Sequence, residues 1–137
     1  MKVSKKGIYA LRALKQIMDN RGKGPLSAAR MAERGGLQLK YLEQVLAELR
    51  KSGFLTSIRG KSGGYQLRMK PEEITLGSVI RAIDGPLAPI DCASQGVPQL
   101  CHGCPEPYES CWIRLLMLRV RDKIAEVMDS ETVGDIA

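Results

Sequence analysis

All four cysteines of this 137-residue chain fall within one stretch of 20 residues, Cys92, Cys101, Cys104 and Cys111. Disulfides are rare in cytoplasmic proteins, so in such a protein clustered thiols favour a metal site or a redox sensor. Four thiolates suit tetrahedral zinc, although zinc ribbons usually carry two Cys-x2-Cys pairs and this segment carries one. An iron-sulfur cluster also takes four thiolates. The spacing therefore leaves an iron-sulfur cluster, zinc, and free or disulfide-forming thiols open.

The second chemical signal is an uneven distribution of charge. Residues 1–70 carry sixteen Lys and Arg against four acids, a net charge of +12, whereas residues 71–137 carry a net charge of −6. Clustered basic side chains favour binding to nucleic acid because they neutralise phosphates and release counterions. The simpler alternative is a basic but idle solvated surface.

The basic half has the pattern of a helix-turn-helix. Apolar residues recur at three- and four-residue spacing from Ser4 to Asn20, which predicts a first helix. Ser27 is a suitable N-cap for a second helix that stops at Gly35-Gly36. A third helix is predicted from Gln38 to Lys51. Two short helices joined by a glycine turn are typical of this motif.

A short hairpin follows the third helix and predicts a wing. Phe54 to Ile58 and Tyr65 to Arg68 are predicted strands, and a glycine-rich basic loop from Arg59 to Gly64 joins them. This loop lacks the strand-loop-helix context and the spacing of a phosphate-binding P-loop. Thr75 is the predicted N-cap of a further helix that ends near Asp84.

The predicted fold class is mainly α with a small β-hairpin wing: a winged helix-turn-helix domain plus a long C-terminal dimerisation helix. The domain covers residues 1–85, an irregular cysteine-rich loop covers 86–110, and the helix and its tail cover 111–137. The spacing of apolar residues in the last segment indicates a two-stranded coiled coil. Its predicted dimerisation residues are Ile113, Met117, Val120, Ile124 and Val127. Alternatively, this face covers its own domain.

In this arrangement the third helix is the candidate recognition helix, whose N-terminal residues would reach base edges in the major groove. Gln44 has the geometry to pair with adenine, and Glu43 is either an acceptor from cytosine or an ordinary surface charge. Arg59 and Lys61 in the wing loop are placed to contact a minor groove or its phosphates.

An enzyme is not expected. The chain has one histidine, His102, no plausible Ser-His-Asp set and no evident pair of catalytic carboxylates. The Cys101-x2-Cys104 pair does not open a helix after a strand, as a thiol-disulfide site would. No apolar run is long enough to span a bilayer, and the first residues lack the apolar stretch of a signal peptide. We therefore expect a cytoplasmic protein with no membrane partner.

Several segments resemble the bacterial IscR/NsrR-type regulators of the Rrf-two family. These segments are Ser4 to Ala13, Tyr41 to Gln44, Leu49 to Gly53, Ser57 to Tyr65 and Thr132 to Ile136. The resemblance covers essentially the whole chain in one order.

The resemblance implies a homodimeric transcription regulator that binds double-stranded DNA at a palindromic operator. It also implies an iron-sulfur cluster in the cysteine loop, 2Fe-2S rather than 4Fe-4S, that senses iron-sulfur status, redox state or nitric oxide. Cys111 matches the family best because the 26 residues after it equal the family's tail in length, and Cys92 is next. The candidate DNA-binding residues, from the pattern and the resemblance together, are Lys5, Gln38, Lys40, Tyr41, Glu43, Gln44, Ser57, Arg59, Gly60, Lys61, Gly63 and Gly64.

The ligand set departs from the family's pattern. The family usually has three cysteines in this loop and takes its fourth ligand from a His shortly after the last one, or from an acid in the first helix. Here these positions hold Arg114 and Ile8, which cannot bind iron. The fourth cysteine then completes an all-cysteine site or is spare, and His102 is a third option. Which of Cys101 and Cys104 is the middle ligand stays open.

Overall fold

The structure, a computed structural model, describes residues 1–95, 104 and 106–136. Its helices are α1 (Lys5–Asp19), α2 (Ala28–Gly35), α3 (Leu39–Lys51), α4 (Leu76–Asp84) and α5 (Trp112–Ser130), and its strands are β1 (Leu55–Ile58) and β2 (Gly64–Leu67). Short 3₁₀ turns lie at Pro71–Glu73 and Asp91–Ala93. The predicted fold class, mainly helical with a two-stranded wing, is confirmed.

The helices begin where the capping residues predict. The Ser27 hydroxyl accepts a hydrogen bond from the Arg30 amide at 3.2 Å, and the Thr75 hydroxyl accepts one from the Ser78 amide at 3.0 Å. Each cap satisfies an amide that has no partner within its own helix. Gly36 ends α2 in the left-handed conformation with φ of 60°, which glycine adopts without steric cost.

The core lies between α1, α2, α3 and the base of the wing. Leu14, Met31, Leu42 and Leu46 are fully buried there. Leu26, just before the α2 cap, is buried in the same cluster as Met31, the spacing of a hydrophobic staple. Val79 of α4 is fully buried in the same core. The apolar faces of four helices thus close it, which fixes α3 relative to α1.

The wing is an antiparallel hairpin in which Leu55 pairs with Leu67 and Ile58 pairs with Gly64. It is also tied to the start of α2, because Leu26 and Tyr65 exchange two backbone hydrogen bonds of 3.0 and 2.8 Å. Gly64 permits this approach: a Cβ there would lie 2.4 Å from the carbonyl carbon of Leu26. The hairpin is therefore held at the start of β2, directly beside its exposed loop.

The tail after α5 returns to the winged domain, a contact that the sequence analysis did not anticipate. The Leu76 amide donates to the Glu131 carbonyl, and the Val133 amide donates to the Ile74 carbonyl, both at 2.9 Å. Val133 is fully buried in the core. Val133 and Ile136 are too few and too close to the chain end to form a periodic apolar pattern, so the sequence carries no signal for this docking.

Helix α5 lies against α4 and exposes most of its length. Arg81 on α4 donates two hydrogen bonds to the Asp129 carboxylate, at 2.7 and 2.9 Å. This pairing raises the pKa of Arg81 and lowers the pKa of Asp129. None of the residues of α5 is buried. Among the described residues, no helix is both long and apolar enough to cross a membrane.

Candidate functional site

The outward face of α3 presents the polar side chains predicted for a recognition helix. Lys40, Glu43 and Gln44 are exposed and lie on one face at helical spacing. Gln38 is the N-cap of α3, and its side-chain oxygen accepts a hydrogen bond from the Tyr41 amide at 2.9 Å. The side-chain nitrogen of Gln38, Nε2, is then the group of this exposed side chain that can donate a hydrogen bond.

Two tyrosines support the start of α3. The Tyr9 hydroxyl accepts a hydrogen bond from the backbone amide of Gln38 at 3.1 Å. The Tyr9 ring packs edge to face against the Tyr41 ring, with the two centroids 4.9 Å apart. The Lys5 ammonium lies 5.3 Å from the Tyr41 ring centroid and 5.8 Å from that of Tyr9, within cation–π range. Tyr9 was not predicted as a site residue, because nothing in the α1 pattern shows that it reaches α3.

The tip of the wing is exposed and built by glycines. Arg59, Gly60 and Lys61 are exposed, as is Ser57 on β1. The Gly63 amide donates to the Gly60 carbonyl at 3.0 Å and closes the turn. A Cβ at Gly63 would lie 2.1 Å from the Ile58 carbonyl oxygen, so the turn requires glycine there.

The basic side chains of both elements keep their charge free for a polyanion. Within the described part of the chain, no carboxylate lies within ion-pair distance of Lys40, Arg59 or Lys61. Lys6 differs: its ammonium lies 2.9 Å from the Glu48 carboxylate, and this hydrogen bond raises the pKa of Lys6. The start of α3 and the wing tip thus both carry positive charge that no described carboxylate offsets.

Three of the predicted cluster ligands line one pocket at the start of α5. Cys92 is half-buried, Cys104 is exposed and Cys111, the N-cap residue of α5, is buried; all three thiols are free. Cys101 and His102 lie outside the described residues. Among the residues that are described, no three His, Cys, Asp or Glu side chains are arranged to hold a metal ion.

Arg114 forms part of the wall of this pocket. Its Nε donates to the Cys92 carbonyl at 3.1 Å, and its guanidinium lies 3.8 Å from the centroid of the Tyr108 ring. Arg114, three residues after Cys111, thus contacts the backbone of another candidate cluster ligand.

The predicted dimerisation residues form an apolar stripe that is largely open to solvent. Ile113 is 44%, Val120 38% and Val127 62% exposed, while Met117 and Ile124 are half-buried. Leu116 adds to the open surface at 41%.

The comparisons with known proteins agree on one family. The Rrf2 family model, described as "Iron-dependent Transcriptional regulator", matches residues 3–137. The chain is 36% identical over 137 residues to the HTH-type transcriptional regulator CymR of Bacillus subtilis, covering 100% of this chain and 90% of the relative. It is 34% identical to the regulator IscR of Aliivibrio salmonicida, covering 99% of this chain and 77% of the relative.

A solved structure described as CymR (YrzC), the global cysteine regulator of B. subtilis, superimposes with a TM-score of 0.81 at 36% identity. The superposition covers 100% of this chain and 96% of the CymR chain. These relatives are transcriptional regulators and not enzymes, as the sequence predicted. The chain belongs to the Rrf2 family and is a DNA-binding transcriptional regulator.

Proposed function

We propose that this regulator is a homodimer whose affinity for a palindromic operator is controlled by an iron-sulfur cluster in the cysteine pocket. The observation that carries the proposal is that three free cysteines from separate points of the chain line one pocket at the first turn of α5. The family description "Iron-dependent Transcriptional regulator" and the similarity to IscR support an iron-based centre, and the cluster we propose is 2Fe-2S.

The donor set fits such a cluster in kind. Iron-sulfur clusters are held by thiolates, and the sulfur atoms available here are those of Cys92, Cys104 and Cys111. The described cysteines are not already in a coordinating arrangement, so ligation would require their thiols to move closer together. Cys101 stays a candidate for the fourth ligand.

Ligation would connect two parts of the chain that control dimer geometry. Cys111 begins the helix that carries the proposed dimer stripe, and Cys92 lies in the segment between the winged domain and that helix. When bound, the cluster would supply an oxidisable centre that responds to nitric oxide or redox state. Binding or loss of the cluster at Cys92 and Cys111 would then alter how α5 is held against its own domain.

The dimer stripe would convert that change into DNA affinity. Two α3 helices read successive half-sites only when they lie about 34 Å apart, one helical turn of DNA. The apolar stripe of α5 provides the face on which two copies would pair. A change in the angle of α5 would move the two α3 helices relative to each other, and a typical coupling is about 1–3 kcal/mol.

A second candidate is a regulator of the same fold whose cysteines act as redox-active thiols or hold zinc. The absence of a preformed ligand set among the described residues favours the redox-active thiols over either metal site. The similarity to CymR of Staphylococcus aureus, of which a solved structure is described as an oxidized form, also favours redox-active thiols.

The deciding experiment is purification without oxygen, followed by a visible absorbance spectrum and an iron and acid-labile sulfide count. We expect a coloured protein with iron and sulfide in equal amounts, and an operator affinity that changes when the cluster is destroyed with nitric oxide. Cys111→Ser should lose the colour while α1 to α4 remain folded. Ser110→Ala, a change at the exposed neighbour, is the matched control and should keep it.

Colourless protein with one zinc per chain would establish the structural-zinc alternative. Protein with neither metal, whose DNA affinity still responds to an oxidant, would establish the thiol alternative.

A further inference from the structure

We infer that Arg114 and Arg121 are positioning residues that hold the Cys92 turn, residues Asp91–Ala93, against α5. Where it concerns cluster retention, the inference rests on the proposed function. Neither arginine is a ligand: each acts through a backbone carbonyl of the turn.

The first contact comes from Arg114, which makes two interactions at once. Its Nε donates to the Cys92 carbonyl at 3.1 Å, and its planar guanidinium lies over the Tyr108 ring at 3.8 Å from the centroid. The Tyr108 hydroxyl lies 3.5 Å from the same carbonyl. The ring fixes the plane of the guanidinium, so Nε keeps its direction towards Cys92.

The second contact comes from Arg121, two helical turns further along α5. Its Nη1 donates to the Ala93 carbonyl at 3.0 Å, while its Nε and Nη2 donate to the Asp122 carboxylate at 3.1 and 2.9 Å. The Arg121 side chain is only 19% exposed. Because Asp122 holds the Nε and Nη2 edge of the Arg121 guanidinium, Nη1 points to the turn in a single orientation.

The two donors together define where the turn lies on α5. Arg114 and Arg121 are seven residues apart, which places them on the same side of the helix. They hold the consecutive carbonyls of Cys92 and Ala93, and Ala93 itself is fully buried. Cys92 therefore keeps a fixed position relative to Cys111, the residue that begins the same helix.

The test on metal-free protein uses amide hydrogen exchange at the turn. The Ala93 amide donates to the Ile90 carbonyl, and the Ser94 amide donates to the Asp91 carbonyl, both at 3.1 Å. In the full chain carrying Arg114→Gln and Arg121→Gln we expect these two amides to exchange at least about fivefold faster, because two charge-assisted hydrogen bonds are weakened. Lys123→Gln removes a charge from the same helix at a side chain that is 80% exposed, and it should leave both rates unchanged.

Single variants separate position from charge. Arg114→Lys keeps the charge but cannot both stack on the ring and donate in a fixed direction, so it should resemble Arg114→Gln. Tyr108→Phe keeps the ring and should retain most of the protection, whereas Tyr108→Leu should lose it. If the double variant exchanges fast throughout α1 to α4, it has unfolded, and the Tyr108 pair then decides the question.

On cluster-loaded protein, the readout is the rate of cluster loss to a chelator. We expect Arg114→Gln to lose its cluster at least about fivefold faster than wild type, with an unchanged initial spectrum, and Lys123→Gln to match wild type. Exchange at Ala93 and Ser94 within twofold of wild type in both the double variant and Tyr108→Leu would overturn the inference. If wild-type protein holds no iron, the proposed function fails while the exchange measurement still decides the role of the two arginines.

Discussion

The substitution Gly64→Ala is expected to detach the wing from α2. The new Cβ would lie 2.4 Å from the Leu26 carbonyl carbon and 2.7 Å from the Ser27 amide nitrogen, and these are backbone atoms that cannot rotate away. The φ of 151° at Gly64 is also one that alanine rarely adopts. The hairpin must therefore shift or change its backbone conformation.

The cost can be worked out from these contacts. Holding alanine in a backbone conformation reserved for glycine costs about 1–3 kcal/mol. If the hairpin shifts instead, it loses the two hydrogen bonds between Leu26 and Tyr65, at about 1 kcal/mol each. By either route we expect a loss of about 2 kcal/mol in the free energy of unfolding, which for a chain of this size is a fall in Tm of about 7 °C.

The assay is urea denaturation followed by circular dichroism, with Gly60→Ala as the control. Gly60 has a φ of 115°, but a Cβ there would meet no atom within 4 Å. It shares the backbone strain without the collision, and a loop tip can relax, so we expect a smaller loss of about 1 kcal/mol. Equal stability of Gly64→Ala and wild type, or equal losses in the two variants, would refute the close-approach argument.

Four further predictions address the remaining elements. Arg59→Ala should weaken operator binding and reduce the slope of log K against log salt by about 0.9, because one phosphate contact is lost; an unaffected titration would remove the wing from the interface. Val120→Glu should convert the proposed dimer to monomer in sedimentation experiments, because it places a charge in the apolar stripe; a variant that remains a dimer would place the pairing face elsewhere. Val133→Ala should destabilise the chain by about 2 kcal/mol in denaturant titrations, because the side chain is fully buried; a cost near zero would mean that the tail is not docked in solution. The pKa of Asp129 is lowered by Arg81, so its stabilisation is complete above the ordinary pKa of 3.8 and is lost as pH falls through the lowered value. The pair is partly exposed, so Asp129→Asn should lower the free energy of unfolding by less than about 1 kcal/mol at neutral pH. It should also make that free energy fall less steeply as the pH is lowered below 3.8.

The sequence predicted the elements well because their signals are local. The capping hydroxyls of Ser27 and Thr75, the glycine pair that ends α2 and the apolar spacing of α3 each act within a few residues along the chain. The clustering of the cysteines and the excess of basic residues before position 70 are likewise visible without a fold. These features are sufficient to predict a winged DNA-binding domain followed by a cysteine segment and a long helix.

The tertiary structure decided the contacts between residues that are distant in sequence. Tyr9 supports α3 from another helix, Val133 fills the core from the end of the chain, and Arg114 holds Cys92 across 22 residues. No periodicity or spacing encodes such pairs, because they depend on which side chains the packed helices bring within a few ångströms of one another. Composition and local pattern therefore determined what kind of protein this is, and packing determined which residues stabilise its DNA-binding and cysteine sites.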